Sequence, residues 1–333
     1  MDSSHLAQLR SEADKGNPVA ERLLLQHWLA EDEQHAVSEL LQSKRDAGQA
    51  LNARFLEAEL ACFHGWKTDA DWRELLRQCC GEGHPEASFI DALYRDWATH
   101  LDANDADANP DTSNDDPYSW QPPKWQTLVS QEGLTLEQSS PFAPRGLLHF
   151  ICSFLGRTLQ PSAVIDPNSG QPVMHPVRRN QSAQWLPEQL GWAGKLVEQR
   201  LAQAACFQAD KGEVLSLLHY QPGQHYKAHY DCLSDEQAHS AQGLTEGGQR
   251  TLTVLLTLGD TNFAGGATHF PKLGVTARPQ PGELLRFNNT DEDGNALACS
   301  LHEGQPVESG EKWLLSKWVR ESTTPYGREL ALV

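Results

Sequence analysis

A chain of 333 residues, 39% of them hydrophobic, is long enough for two domains that each bury a core. Its net charge of −18 argues against nucleic acid as a partner, because phosphates would be repelled, and no run of about 18 apolar residues is present to span a membrane. The opening MDSSHLAQLRSEADKG has neither a basic start nor an apolar stretch, which predicts no secretory signal, and seven scattered cysteines without CxxC spacing suggest reduced thiols in a cytoplasm.

Residues 1–100 read as paired helices. The text ADKGNPVAERLLLQHWL from Ala13 recurs loosely as DAGQALNARFLEAEL from Asp46 and GEGHPEASFIDALYRDW from Gly81. Gly16, Gly48 and Gly83 align, and each is followed by a small residue, Ala20, Ala53 or Ala87. A glycine there suits a left-handed helix cap, and Pro18 and Pro85 suit a first helical turn. A period in the 30s built of helix pairs marks a solenoid; the pattern resembles the Sel1-like branch of the tetratricopeptide superfamily. The alternative is an ordinary helical bundle.

Residues 101–117, LDANDADANPDTSNDDP, are acidic and apolar-poor, which predicts a linker. Residues 1–116 hold 24 Asp and Glu against 10 Lys and Arg, so most of the net charge lies before the second domain. That excess suits a basic partner, or solubility alone. From 118 to 333 the pattern gives a helix over Pro141–Gln160, a strand over Ser162–Asp166 and a helix over Trp185–Phe207. Strands follow at Val214–Tyr220, Thr251–Leu258, Gly282–Phe287 and Trp313–Val319. In the second of these, Leu252, Val254, Leu256 and Leu258 alternate with Thr251, Thr253 and Thr257. Helices followed by short strands predict an α+β chain: an N-terminal helical repeat domain, then a jelly roll buttressed by helices.

The chemistry concentrates in YQPGQHYKAHYD, residues 220–231, where His229 and Asp231 stand two apart. In an extended strand such a pair shares a face and can grip one cation. The later LHEGQPVESGEKWLLSKWVRE, residues 301–321, adds His302 and Lys312. Two histidines and one carboxylate with positions left open suit a non-haem Fe(II) oxygenase.

With GGQRTLTVLLTLGDTNFAGGATHFP between them, these blocks resemble the prolyl 4-hydroxylase-like branch of the Fe(II)/2-oxoglutarate dioxygenases, over roughly residues 140–321. The resemblance implies a double-stranded β-helix with His229, Asp231 and His302 as iron ligands. It makes Lys312 the anchor for the distal carboxylate of 2-oxoglutarate, with Thr268 and Tyr220 as hydroxyl partners and Gly265–Gly266 as a tight turn beside it. Tyr226, Arg250 and Trp318 would line a pocket for a peptidyl proline. Ala267 departs from the usual Gly-Gly-Glu-Thr, and His225 and His269 receive no role. Fe(II), 2-oxoglutarate and O₂ are the implied cofactors, with ascorbate as a further one.

The expectation is therefore an enzyme that hydroxylates a C–H bond, foremost of a prolyl residue in a protein. The helical repeats would recruit that protein, and the linker would let the catalytic domain reach it, so that residues 1–116 are dispensable for turnover itself. The rivals are hydroxylation of another side chain or a free amino acid, a catalytically silent binding module, and a non-oxidative metal barrel.

Overall fold

The computed structural model describes residues 3–66, 70–102, 120–162, 164–165, 172–173 and 178–330. Apart from its first two residues, the expected linker lies outside the described residues.

Six helices come first: α1 (Ser3–Asp14), α2 (Pro18–Ala30), α3 (Gln34–Asp46), α4 (Ala50–His64), α5 (Trp72–Gly81) and α6 (Pro85–Asp102). The turns after α1, α3 and α5 have one chemistry. Gly16, Gly48 and Gly83 take φ of 83°, 79° and 85°. In each turn the glycine N–H donates three residues back, to Ala13, Arg45 or Cys80. The next N–H donates five residues back, to Glu12, Lys44 or Cys79. This pair of bonds satisfies carbonyls that a helix end leaves open, and it needs the left-handed backbone that glycine adopts without strain. Ala20, Ala53 and Ala87 are all buried.

The strands form two main sheets, paired antiparallel. The larger runs, in spatial order, Trp125–Gln131, Leu134–Pro141, Glu283–Asn288, Arg250–Leu258, Lys312–Arg320, Leu215–Tyr220, Gln181–Trp185 and Gln160–Pro161. The smaller runs Val275–Ala277, Thr268–Phe270, His302–Gly304, His225–His229 and Arg178–Arg179. The hairpin over 125–141 was not foreseen. Its loop is Glu132–Gly133, with φ of 51° and 80°, a two-residue turn whose twist matches the flanking strands. Sequence patterning overlooks it because Glu replaces the usual Asn or Asp.

Strand alternation sorts the larger sheet into two faces. Val254, Leu256, Leu258, Leu215, Leu217 and Leu315 face helices α7 (Arg145–Leu155) and α8 (Pro187–Ala205) in one core. Leu255, Leu285 and Phe287 pack on the other side with Phe270 and Ala277 of the smaller sheet.

The first core does not stop at α7 and α8. Phe55, Leu76, Ile90 and Trp97 of α4–α6 belong to it. Fully buried Trp97 donates its indole N–H to Phe142 O at 2.6 Å, and the Trp192 ring of α8 lies tilted against Phe55, 5.3 Å between centroids. Helix α8 is consequently covered on both sides, and most of its residues are buried, charged ones included. Its buried charges are matched on both sides too. Lys195 reaches Glu59 of α4 at 2.8 Å, and Glu198 meets Lys317 of the sheet at 2.7 Å. Burial alone would raise the Glu59 carboxyl, but Lys195 and Arg22 hold it down to about 2.

Helices α4–α6 are thus built into the body of the molecule, an arrangement that suits a helical segment packed rigidly on the rest of the chain better than one dispensable for turnover. Deleting residues 1–102 should expose the α8 face and strip Lys195 of its carboxylate partner; the truncated chain is expected to be insoluble or to lose its cooperative thermal transition. Trp97→Ala should destabilise the whole protein by about 3–5 kcal/mol in a single denaturant transition. A soluble, cooperatively folded truncation would show the core to be divisible.

Candidate metal centre

His229 closes its strand and lies directly opposite His302 in the smaller sheet. Asp231 follows just past the strand end, so simple alternation within a strand does not place the pair. A bulge does. His302 pairs with His229, but Gly304 pairs with Tyr226, so Lys227 and Ala228 together face one residue. The extra residue turns Tyr226 and His229 to the same face, their rings stacked 3.5 Å apart. Lys227, on the parity of His229, is exposed instead.

The ligating atoms of His229, Asp231 and His302 lie within 4.8 Å of one another. Each histidine donates Nδ1–H to the carbonyl two residues before it, His229 to Lys227 at 2.8 Å and His302 to Ser300 at 2.9 Å. That fixes the tautomer and leaves both Nε2 lone pairs turned toward Asp231, each 3.6 Å from one of its carboxylate oxygens. Burial pushes His302 down to about 4, against the opposing pull of Asp231, so it is neutral at physiological pH. Burial alone would raise the Asp231 carboxyl, but His302, His229 and Arg250 hold it well below the usual range. Two imidazoles and a carboxylate, their ligating atoms converging, fit a divalent transition metal.

A cavity of about 430 Å³ is lined in part by Thr257, Gly266, Thr268, Arg278, Glu308 and Lys312, and its Thr268 pairs with Gly304 on the strand that His302 opens. Lys312 is buried, donates to Gly266 O, and has no carboxylate partner among the described residues. Burial lowers its pKa from 10.5 to about 8. Gly265 and Gly266 take φ of 75° and 64°, and a Cβ on Gly266 would stand 3.0 Å from Lys312 Cδ, so the turn admits only glycine there. Buried Tyr220 lies opposite Lys312 in the sheet, with the ammonium 5.6 Å from its ring centroid. The Thr257 hydroxyl is buried without a protein partner.

Arg250 lies over the Trp318 ring at 4.3 Å, but its Nε and Nη2 are both committed to Glu213, at 2.6 and 2.8 Å. The Trp318 indole N–H is buried without a partner. Ala267 is buried and offers no carboxylate at its position. His225 and His269 stand outside the cluster; His269 bonds Thr276 instead. Sequence reasoning overlooked Thr253, Thr257, Asn289 and Glu213. The signal for the two threonines was their parity, opposite to Leu252, Val254, Leu256 and Leu258 of their strand.

Residues 215–320 match the model of the 2OG-Fe(II) oxygenase superfamily. The chain is 33% identical over 181 residues to "Prolyl 4-hydroxylase 1" of Arabidopsis thaliana, a match spanning 50% of this chain and 62% of that protein. It is 39% identical over 113 residues to "Putative prolyl 4-hydroxylase" of Acanthamoeba polyphaga mimivirus, spanning 34% and 46%. Each match thus covers less than two thirds of the relative's length. Among solved structures, the viral collagen prolyl hydroxylase of Paramecium bursaria Chlorella virus-1 aligns with a TM-score of 0.43 and 21% identity, over 55% of this chain and 94% of that one.

The buried ammonium has a measurable consequence. Because folding lowers the Lys312 pKa, folding favours the neutral amine; that contribution is fully present above about pH 10.5 and lost as the pH falls through about 8. At neutral pH the buried cation costs the fold roughly 3 kcal/mol. Lys312→Met is therefore expected to raise the melting temperature at about pH 7, by less at about pH 10. A lowered melting temperature at neutral pH would show that the ammonium already has its counter-charge.

Proposed function

We propose that this chain is an Fe(II)- and 2-oxoglutarate-dependent dioxygenase that hydroxylates a prolyl residue in a protein or peptide. The observation that carries the reading is a buried lysine without a carboxylate among the described residues, lining a cavity whose Thr268 pairs with the strand that bears His302. A non-oxidative metal barrel has no use for such a cation, whereas a dicarboxylate cosubstrate supplies the missing charge. The match to the oxygenase superfamily model and the names of the curated relatives support it.

In this reading His229 and His302 hold the metal through Nε2, and Asp231 through its carboxylate. Bound iron with 2-oxoglutarate and O₂ supplies the oxidation of a C–H bond, coupled to conversion of the cosubstrate to succinate and CO₂. The protein's part is to place and screen the reactants. Lys312 neutralises the distal carboxylate, with Thr268, Tyr220 and the unpartnered Thr257 hydroxyl as neighbouring donors. Tyr226, flat against His229, and Trp318, beneath Arg250, would offer aromatic faces suited to a pyrrolidine ring. Glu213 holds the Arg250 guanidinium in place over the Trp318 ring. The acidic helices α1–α6 would present a basic protein substrate from a rigid mount, since α4–α6 share a core with α8.

The test is incubation with Fe(II), 2-oxoglutarate, O₂ and proline-containing peptides, reading succinate release and the gain of one oxygen by mass. His229→Ala and His302→Ala should each abolish both readouts and metal binding while circular dichroism is retained. Lys312→Ala should weaken 2-oxoglutarate binding by about 2–5 kcal/mol with metal affinity little changed. Succinate release by the His229 and His302 variants at the wild-type rate would overturn the reading.

A further inference from the structure

Beneath the metal cluster, where the Arg250–Leu258 and Glu283–Asn288 strands lie side by side, stand two polar side chains with no solvent exposure, Thr253 and Asn289. The Thr253 hydroxyl donates to Asp231 Oδ2 at 2.8 Å, and Asn289 Nδ2 donates to Thr253 Oγ1 at 3.0 Å. Asn289 is itself fixed through its backbone. Its N–H donates to Thr251 O at 2.7 Å, and its carbonyl accepts from Leu297 N at 2.9 Å.

We propose that Thr253 and Asn289 are a positioning pair that makes Asp231 a one-oxygen ligand; the proposal rests on the metal reading above. A hydroxyl has one proton and two lone pairs. Asn289 fills the accepting side of Thr253, so the single proton is turned to the carboxylate, which only accepts. The result is a charge-assisted bond in a dry site, stronger than a neutral one. Both Asp231 oxygens lie 3.6 Å from an imidazole Nε2, so distance alone selects neither. The hydroxyl selects, by engaging Oδ2 and leaving Oδ1 to face a cation. A carboxylate released from Thr253 can turn and offer both oxygens, occupying a position that the cosubstrate or O₂ needs. The relay thus protects the number of open positions as well as the affinity.

The experiment uses Co(II) as the probe, without 2-oxoglutarate or O₂, and reads affinity by titration and coordination from the visible spectrum of the bound ion. Thr253→Val removes the hydroxyl at nearly constant shape; it should weaken Co(II) binding by about 10–100-fold and alter the spectrum. Thr253→Ser should restore both. Asn289→Leu, which frees the hydroxyl to rotate, should shift both in the same direction by a smaller factor. Wild-type affinity and spectrum in Thr253→Val would overturn the positioning role while leaving the metal site standing. If that variant does not fold, the same result in Asn289→Leu does so instead. Failure of the wild-type protein to bind Co(II) would overturn both this inference and the metal reading beneath it.

Discussion

A buried cation has to meet an anion, and the strand Lys312–Arg320 carries two buried lysines on opposite faces. Lys317 points to the helices and is answered within the chain, by Glu198 at 2.7 Å and by the carbonyl of Glu213 at 2.5 Å. Lys312 points the other way, into the cavity, and meets a carbonyl. Burial lowers both pKa values; for Lys317 the Glu198 carboxylate opposes that, whereas for Lys312 desolvation acts alone. One strand thus has a closed electrostatic face and an open one. Protein interiors tolerate an unanswered charge at considerable cost, which is why such a group points to a ligand.

The closed face sets the position of the open one. Glu198 lies on α8, and α8 is held from its far side by Lys195 to Glu59. Tyr326 adds a hydrogen bond to Glu198. Each pair is buried, so its net contribution to stability is small once desolvation is counted, while its breakage is costly. We read these pairs as devices of register: they permit one placement of α8 between the outer helices and the sheet. The strand that carries Lys312 is fixed by the same contacts.

Much of this was legible in the sequence, for reasons that can be named. The turn glycines at 16, 48 and 83 were readable because a left-handed cap has one favoured residue. The strand over Thr251–Leu258 was readable because its two faces meet different surroundings. The convergence of His229, Asp231 and His302 followed from the order of three motif blocks. Other features left no such trace. The pairing of Glu59 with Lys195 joins residues far apart in the chain, and nothing local announces it. The cohesion of α4–α6 with α8 was hidden because an acidic, apolar-poor stretch separates them in sequence and suggests independence. The unpartnered Thr257 hydroxyl could not be distinguished from any strand threonine until its surroundings were known.

The bulge at Lys227–Ala228 shows how narrowly the centre is specified. A strand counts its side chains in twos, and every residue after an insertion belongs to the other set. Here one surplus residue moves His229 from the set of Lys227 to the set of Tyr226. Gain or loss of a single codon in this stretch would conserve nearly every amino acid yet exchange inside for outside, turning the imidazole to solvent and an ammonium toward its place. The composition of the segment would be intact and its meaning reversed. For this protein, the length of one short stretch of strand is as much a part of the candidate metal centre as the residues that compose it.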